Sequence, residues 1–197
     1  MKLVLASKNQ HKLVEMQTIL GQLGLEVVLE NQVGVDVDVE ETGVTFMENA
    51  LLKARAVCEA SGMAAIADDS GLVVDALNGA PGVYSARYGG KDSDAARTAY
   101  LLENMVDVPE ARRTARFVSA IACALPDGRV VTAEGCCEGI ITFETRGENG
   151  FGYDPVFYVP SLGKTFAEAN AAEKNAISHR GNALNEFLKA WKETGLC

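Results

Sequence analysis

Positive charge is scarce in this chain. Lys and Arg number 18 against 27 Asp and Glu, a formal charge of −9 over 197 residues. An acidic surface repels a phosphate backbone, which argues against a duplex-binding role. It leaves room for a small phosphorylated ligand, because a few local cations and a metal outweigh the global sign. Histidine is rarer still: with only two residues there is no zinc-ligand spacing. The five cysteines, Cys58, Cys123, Cys136, Cys137 and Cys197, are odd in number, include an adjacent pair and form no C-x-x-C. That excludes a disulfide framework and fits reduced, mostly buried thiols in a cytoplasmic protein. Long apolar runs are missing too. Stretches such as residues 62–67 fall far short of the ~18 residues a membrane span needs. The apolar stretch after Met1 is too short for a signal peptide.

What is present is ordinary for a folded domain: 48% hydrophobic and 23% charged residues. The length suits one domain, or two lobes sharing a core. Residues 2–6 read as a buried strand. Leu13, Met16, Leu20 and Leu23 then recur at helical spacing, Gly24 stops them, and residues 25–29 resume as a strand. Strand, loop, helix and strand in that order predict an α/β domain.

Asp36–Glu41 forms an acidic loop. Thr45-Phe46-Met47-Glu48 is a capping-box pattern that opens a helix ending near Ser61-Gly62, with Phe46, Ala50, Ala54 and Val57 on one face. Residues 64–67 form a strand that delivers Asp68-Asp69-Ser70-Gly71, and residues 72–74 can continue in extended form. Residues 78–90 make a long glycine-rich loop. Asp92–Asn104 is expected to be helical with Ala95, Ala99 and Leu102 on one side. Pro126-Asp127-Gly128 marks a hairpin turn. After a second glycine loop, 147–152, the Asn170–Glu173 capping pattern predicts one helix carrying Ile177, Leu184, Leu188 and Trp191 along one face.

Four constellations could carry chemistry. Ser7-Lys8-Asn9-Gln10-His11-Lys12 lies between a strand and a helix, where free N–H groups and the helix dipole attract phosphate. It has no Walker pattern. Asp68-Asp69 follows a strand, and two adjacent carboxylates call for a cation or a proton. Mg²⁺ suits their hard oxygens, with Glu40-Glu41 as a further source of ligands. Lys174, Ser178, His179 and Arg180 gather donors near a helix start, with Lys174 and Ser178 placed on one face by their i, i+4 spacing. Phe151-Gly152-Tyr153-Asp154 offers an aromatic and an acid on a glycine-rich loop, suited to stacking on a flat base. Taken singly, each also reads as a cap, a solvated turn or core packing. Together they match a nucleoside polyphosphate with a divalent metal. Ser70 has no base and orienter in sequence, so attack by water is simpler than a covalent route.

Six stretches in order carry a resemblance: Glu40-Glu41-Thr42-Gly43, residues 45–50, Ala67–Leu72, Gly79–Arg87, Gly150–Pro155 and Glu173–Arg180. Over about residues 3–188 the chain resembles the inosine/xanthosine triphosphate pyrophosphatases, the Ham1-like nucleotide hydrolases, in their bacterial form. The resemblance implies an elongated mixed β-sheet with flanking helices, in two lobes around a central substrate cleft. It implies hydrolysis of ITP, dITP and XTP to the monophosphate and pyrophosphate, with Mg²⁺, by a cytoplasmic homodimer without nucleic-acid or membrane partners.

By the same resemblance Ser7, Lys8, Asn9, Gln10, His11 and Lys12 form the phosphate loop, with Lys53 and Ser70 also on the substrate. Asp69 is the general base. Glu40 or Glu41, with Asp68 or Asp69, holds the metal. Phe151, Gly152, Tyr153, Asp154, Lys174, His179 and Arg180 form the nucleoside site. One departure stands out: Ser7-Lys8-Asn9 replaces the family's Thr-Gly-Asn, which removes a glycine from the approach to the phosphates. The rival readings are a Mg²⁺-dependent pyrophosphohydrolase of other modified nucleotides and a nucleotide sensor without catalysis.

Overall fold

The computed structural model describes residues 1–195, the side chain of His11 excepted; Cys197 lies outside the described residues. Twelve regular elements follow in order: β1 Lys2–Leu5, α1 Gln10–Leu20, β2 Glu26–Leu29, α2 Phe46–Ser61, β3 Ala65–Val74, α3 Asp94–Asn104, β4 Thr114–Ala124, β5 Val130–Ile141, β6 Phe157–Val159, β7 Lys164–Thr165, α4 Ala171–Ile177 and α5 His179–Glu193. The strands form one seven-stranded sheet in the order β2-β1-β3-β4-β5-β6-β7. It is mixed: β1 pairs in parallel with β2 and β3, while β5–β6 and β6–β7 are antiparallel. No described helix is long and apolar enough to cross a membrane, and the buried Cys58, Cys123 and Cys137 are in no disulfide.

The chain divides into two compact units. The first comprises residues 1–69, 119–135 and 180–197 as a division of the chain. Its core has two apolar clusters. Leu3 and Leu5 of β1 meet Met16 and Leu20 of α1 and Ala183, Leu184, Phe187 and Trp191 of α5. Val4, Ala65 and Ala67 with Ala120, Ala122 and Ala124 meet Ala50, Ala54 and Val57 of α2. Alanine on both partners lets α2 lie close on the strands.

Helix α2 starts where the sequence predicts. Thr45 Oγ1 accepts from Glu48 N at 3.1 Å, and Glu48 Oε2 accepts from Thr45 N at 3.2 Å. Gly62 ends it in the left-handed region, φ 66°. Helix α1 is capped by Asn9, whose Oδ1 accepts from Lys12 N at 3.4 Å.

The second unit holds residues 70–118 and 136–179. Its core joins Leu72, Val74, Leu101, Met105, Phe117, Ile141, Phe157 and Phe166. The Phe117 and Phe157 rings meet edge-on at 4.6 Å. Arg113, 1% exposed, donates to the carbonyls of Ile141, Met105, Val108 and Thr142 and so ties three chain segments.

Three local expectations differ from the structure. Asp68 and Asp69 sit inside the ten-residue strand β3 rather than after a strand, because buried Leu72 and Val74 draw the chain on in extended form. Helix α3 buries Thr98 and Leu101, while Ala95 and Ala99 are exposed: alanine is too small to define a face against leucine. The single C-terminal helix is two helices. Ser178 is extended at φ −65°, ψ 148°, so α4 ends before it and α5 begins at His179, and Lys174 and Ser178 do not share a helical face.

Candidate active site

The first unit gathers seven charged side chains from four elements and one loop. Strand β3 stops pairing with β1 at Leu5↔Ile66. Beyond that point its backbone carries Asp68 and Asp69, whose side chains alternate between faces.

Asp68 is 2% exposed. Its Oδ1 lies 2.8 Å from Lys12 Nζ, and its Oδ2 accepts from Arg180 Nε at 3.1 Å. Burial alone would raise its pKa. Lys12 and Arg180 outweigh that and hold the carboxyl well below the usual range. Arg180 Nη1 in turn donates to Glu15 Oε2 at 2.6 Å.

Asp69 has other partners. Lys53 Nζ donates to Asp69 Oδ1 at 3.2 Å and to Glu41 Oε1 at 2.8 Å. Asn49 Nδ2 donates to Asp69 Oδ2 at 3.3 Å. Asn49 and Lys53 are one turn apart on α2, so one helix face supplies both. The Asn49 Oδ1 accepts from Gly43 N at 2.8 Å. A Cβ on residue 43 would lie 2.6 Å from that oxygen, so glycine is required for the approach. Burial raises the Asp69 pKa above its ordinary value; Lys53 opposes this and Glu41 reinforces it. Burial works against the Lys53 ammonium, but Asp69 and Glu41 prevail and raise its pKa.

The remaining predicted residues of this unit are placed as follows. Ser7 Oγ accepts from Asn9 N at 3.1 Å and shapes the turn before α1, which opens at Gln10. Lys8 reaches Asp36 Oδ1 at 2.5 Å, an exposed pair. Glu40 is exposed, whereas Glu41 is drawn in by Lys53. His11's side chain lies outside the described residues.

The second unit brings together another predicted set. Lys174 Nζ donates to Asp154 Oδ2 at 2.5 Å, and the same oxygen accepts from Phe151 N at 2.9 Å. The ammonium lies 4.6 Å from the centre of the half-exposed Phe151 ring and 5.4 Å from that of Phe166. The Gly147–Gly152 loop is pinned: Gly152 N donates to Asp94 Oδ2 at 2.7 Å, and Thr98 Oγ1 donates to Gly152 O at 3.2 Å. Tyr153 is buried and its hydroxyl donates to Ser85 O at 2.8 Å. His179 is buried with its ring stacked on Phe117 at 4.9 Å. Ser70 begins this unit on β3.

Among the described residues no group of three His, Cys, Asp or Glu is set to hold a metal by itself. Glu41 and Asp69 nonetheless each bring a hard oxygen to one ammonium. Two such donors fit an ion that keeps several waters and takes its other oxygens from a bound phosphate.

Comparison with known proteins follows this geometry. The Ham1 family model matches residues 3–190. The chain belongs to the Ham1 family. Among its Ham1 relatives, the dITP/XTP pyrophosphatase of Exiguobacterium sibiricum is 52% identical over 96% of each chain. One from Thermus thermophilus is 51% identical over 98% of this chain and 93% of its own. Two solved Ham1 structures superpose closely. The Coxiella burnetii HAM1 protein has a TM-score of 0.91 at 46% identity, covering 98% of this chain and 99% of its own. The Staphylococcus aureus Ham1 protein has 0.90 at 44%, covering 99% and 100%.

Two residues of this cluster, Asn49 and Glu15, are not among the candidates read from the sequence. Asn49 stood inside a quoted motif with no role, and its signal was the i, i+4 spacing to Lys53. Glu15 stood outside every motif, with only its i, i+3 spacing to Lys12 to mark it. Arg180, expected on the nucleoside, has its Nε and Nη1 on Asp68 and Glu15.

Proposed function

We propose that this protein hydrolyses non-standard purine nucleoside triphosphates, dITP, ITP and XTP, to the monophosphate and pyrophosphate. The observation that carries this reading is the convergence of Glu41 and Asp69 on Lys53, in a chain about 50% identical over nearly its full length to dITP/XTP pyrophosphatases.

Release of pyrophosphate requires that water attack the α-phosphorus. Asp69 accepts the proton from that water. A raised pKa suits a base, and Asn49 fixes the direction of its carboxylate. Lys12 and Lys53 take charge from the phosphates, and the Ser7–Lys12 turn offers N–H groups to them. Glu41 and Asp69 would hold Mg²⁺, and their two pairs of oxygens allow Asp69 both tasks. When bound, the ion neutralises negative charge on the polyphosphate. Asp68 is committed to Lys12 and Arg180 and serves by orienting Lys12.

Base selection is assigned to the second unit. Hypoxanthine and xanthine carry an acceptor oxygen at position 6, where adenine carries a donor amino group. Lys174 and His179 supply donors, and Phe151 supplies a face for stacking. A donor facing a donor leaves both unpaired, which such sites reject strongly. The resemblance further supports a cytoplasmic homodimer, which light scattering on the purified protein tests.

The test of function is a panel of nucleoside triphosphates with and without Mg²⁺, with products identified. Mg²⁺-dependent pyrophosphate release from dITP, ITP and XTP, far above that from ATP, is expected. Orthophosphate release, preference for a pyrimidine, or binding without turnover would overturn it.

A further inference from the structure

The loop that carries Phe151 cannot fix its aromatic ring by local packing. Gly147, Gly150 and Gly152 have φ of 84°, 79° and 61°, so no side chain restrains the backbone there. Phe151 itself is 58% exposed, so the core does not hold the ring. What fixes it is the backbone on either side. Phe151 N donates to Asp154 Oδ2 at 2.9 Å, and Gly152 N donates to Asp94 Oδ2 at 2.7 Å. Two successive amides of the second unit thus rest on two carboxylates. Asp154 links the loop to Lys174, and Asp94 links it to α3, 58 positions away.

The surroundings of Asp94 suit it to this task. It stands in the first turn of α3, behind the N-cap Ser93, where the helix dipole favours an anion. Its Oδ1 accepts from Arg97 Nη2, and Arg97 Nη1 donates in turn to Lys91 O at 2.9 Å. With Arg97 on one oxygen and Gly152 on the other, the carboxylate has a set direction. The Gly152 N–H is the largest influence holding the Asp94 carboxyl below its ordinary value, ahead of Arg97. Thr98, one turn on from Asp94, donates its hydroxyl to Gly152 O at 3.2 Å. One face of α3 therefore grips residue 152 by both its N–H and its carbonyl.

Building on the base selection proposed above, we propose that Asp94 is a positioning residue for the nucleobase: by accepting from Gly152 N it holds the Phe151 ring beside Lys174, where a purine stacks. Asp94 touches no atom of the substrate in this scheme. Without its carboxylate the backbone around Phe151 loses one of its two acidic anchors and turns about the other, which carries the ring away from the base.

The experiment compares wild type, D94A, D94N, F151A and D94A/F151A on dITP with Mg²⁺. D94A is expected to raise KM about tenfold, within the range for losing one base–aromatic stack. The kcat should change less than about threefold, the pattern for loss of binding shared by ground and transition states. D94N keeps an acceptor oxygen for Gly152 and should bring KM back to within about threefold of wild type. In the F151A background D94A should cost nothing further, because the ring it positions is gone. An unchanged KM in D94A, a D94N as impaired as D94A, or equal losses with and without the ring overturns the proposal. Amide hydrogen exchange followed by NMR gives a reading independent of turnover. The Gly152 amide should exchange at least about tenfold faster in D94A than in wild type, and an unchanged rate refutes the clamp. If wild type hydrolyses no triphosphate, the assigned function fails, while exchange at Gly152 still judges whether Asp94 holds the loop.

Discussion

The two units hold lysine against carboxylate in different ways. In the first, charges are held by charges. Asp68 spreads its two oxygens over Lys12 and Arg180, while Asp69 and Glu41 share Lys53. In the second, one carboxylate oxygen of Asp154 takes both Lys174 and a backbone N–H, and the ammonium rests against two aromatic rings. The first arrangement sets each carboxylate against a cation, so its charges balance locally. The second keeps one donor beside an apolar face, which fits a flat, uncharged ring with a single acceptor. The same residue types are thus set among charges in one unit and among rings in the other.

The contrast breaks hardest at Asp69. D69N should lower kcat by about 10²–10⁴-fold, the range for loss of a general base, with nucleotide affinity largely kept. Pyrophosphate release and a binding titration check this, and near-normal turnover would remove Asp69 from the role.

Next comes stability. R180M leaves buried Asp68 with Lys12 alone, and breaking a buried pair in this way should cost about 3–5 kcal/mol in urea denaturation. The pH dependence has a definite sign. The folded pKa of Asp68 is depressed, so its contribution is complete above the ordinary carboxylate value of about 4 and is lost as pH falls through the folded value. Below about pH 4, D68N should therefore show a shallower loss of stability than wild type. Parallel curves would mean that Asp68 is not held by its cations.

The aromatic-flanked pair is expected to matter less for turnover and more for choice. K174M should reduce the preference for dITP over dATP about tenfold, the size of one charge-assisted hydrogen bond of ~1.5 kcal/mol. An unchanged ratio of kcat/KM values would move base reading elsewhere. The smallest effect is expected at Lys8. Its pair with Asp36 is exposed at both ends, so K8A should leave the melting temperature unchanged. Any sizeable rise in KM would then report a phosphate contact rather than the pair.

Much of this was legible from the chain itself. Local signals gave α2 from its capping box to Gly62, because a cap and a left-handed glycine act within a few residues. The hairpin at 126–128 and the opening strand, helix and strand followed for the same reason. Where residues compete over longer range, the local reading slipped. Asp68 and Asp69 read as a break between a strand and an extended stretch at 72–74, and buried Leu72 and Val74 made the whole one strand. The helix predicted across Ser178 broke, although nothing in its composition forbids continuation.

The site divides along the same line. That Asp68, Asp69, Glu40 or Glu41, and Lys12 were candidates could be read from residue types and motifs; Lys53 entered only through the resemblance. Which carboxylate meets which cation could not, because an ion pair depends on distances between side chains up to 165 positions apart. Sequence alone determined the inventory: acids, lysines, glycine turns and the helix starts that carry them. Only the folded chain decided that Asp68 is held by Arg180 while Asp69 stays with Lys53, and that Glu15 meets Arg180. Neighbouring residues on a strand face opposite ways, and what waits on each side is set by helices far away in the chain.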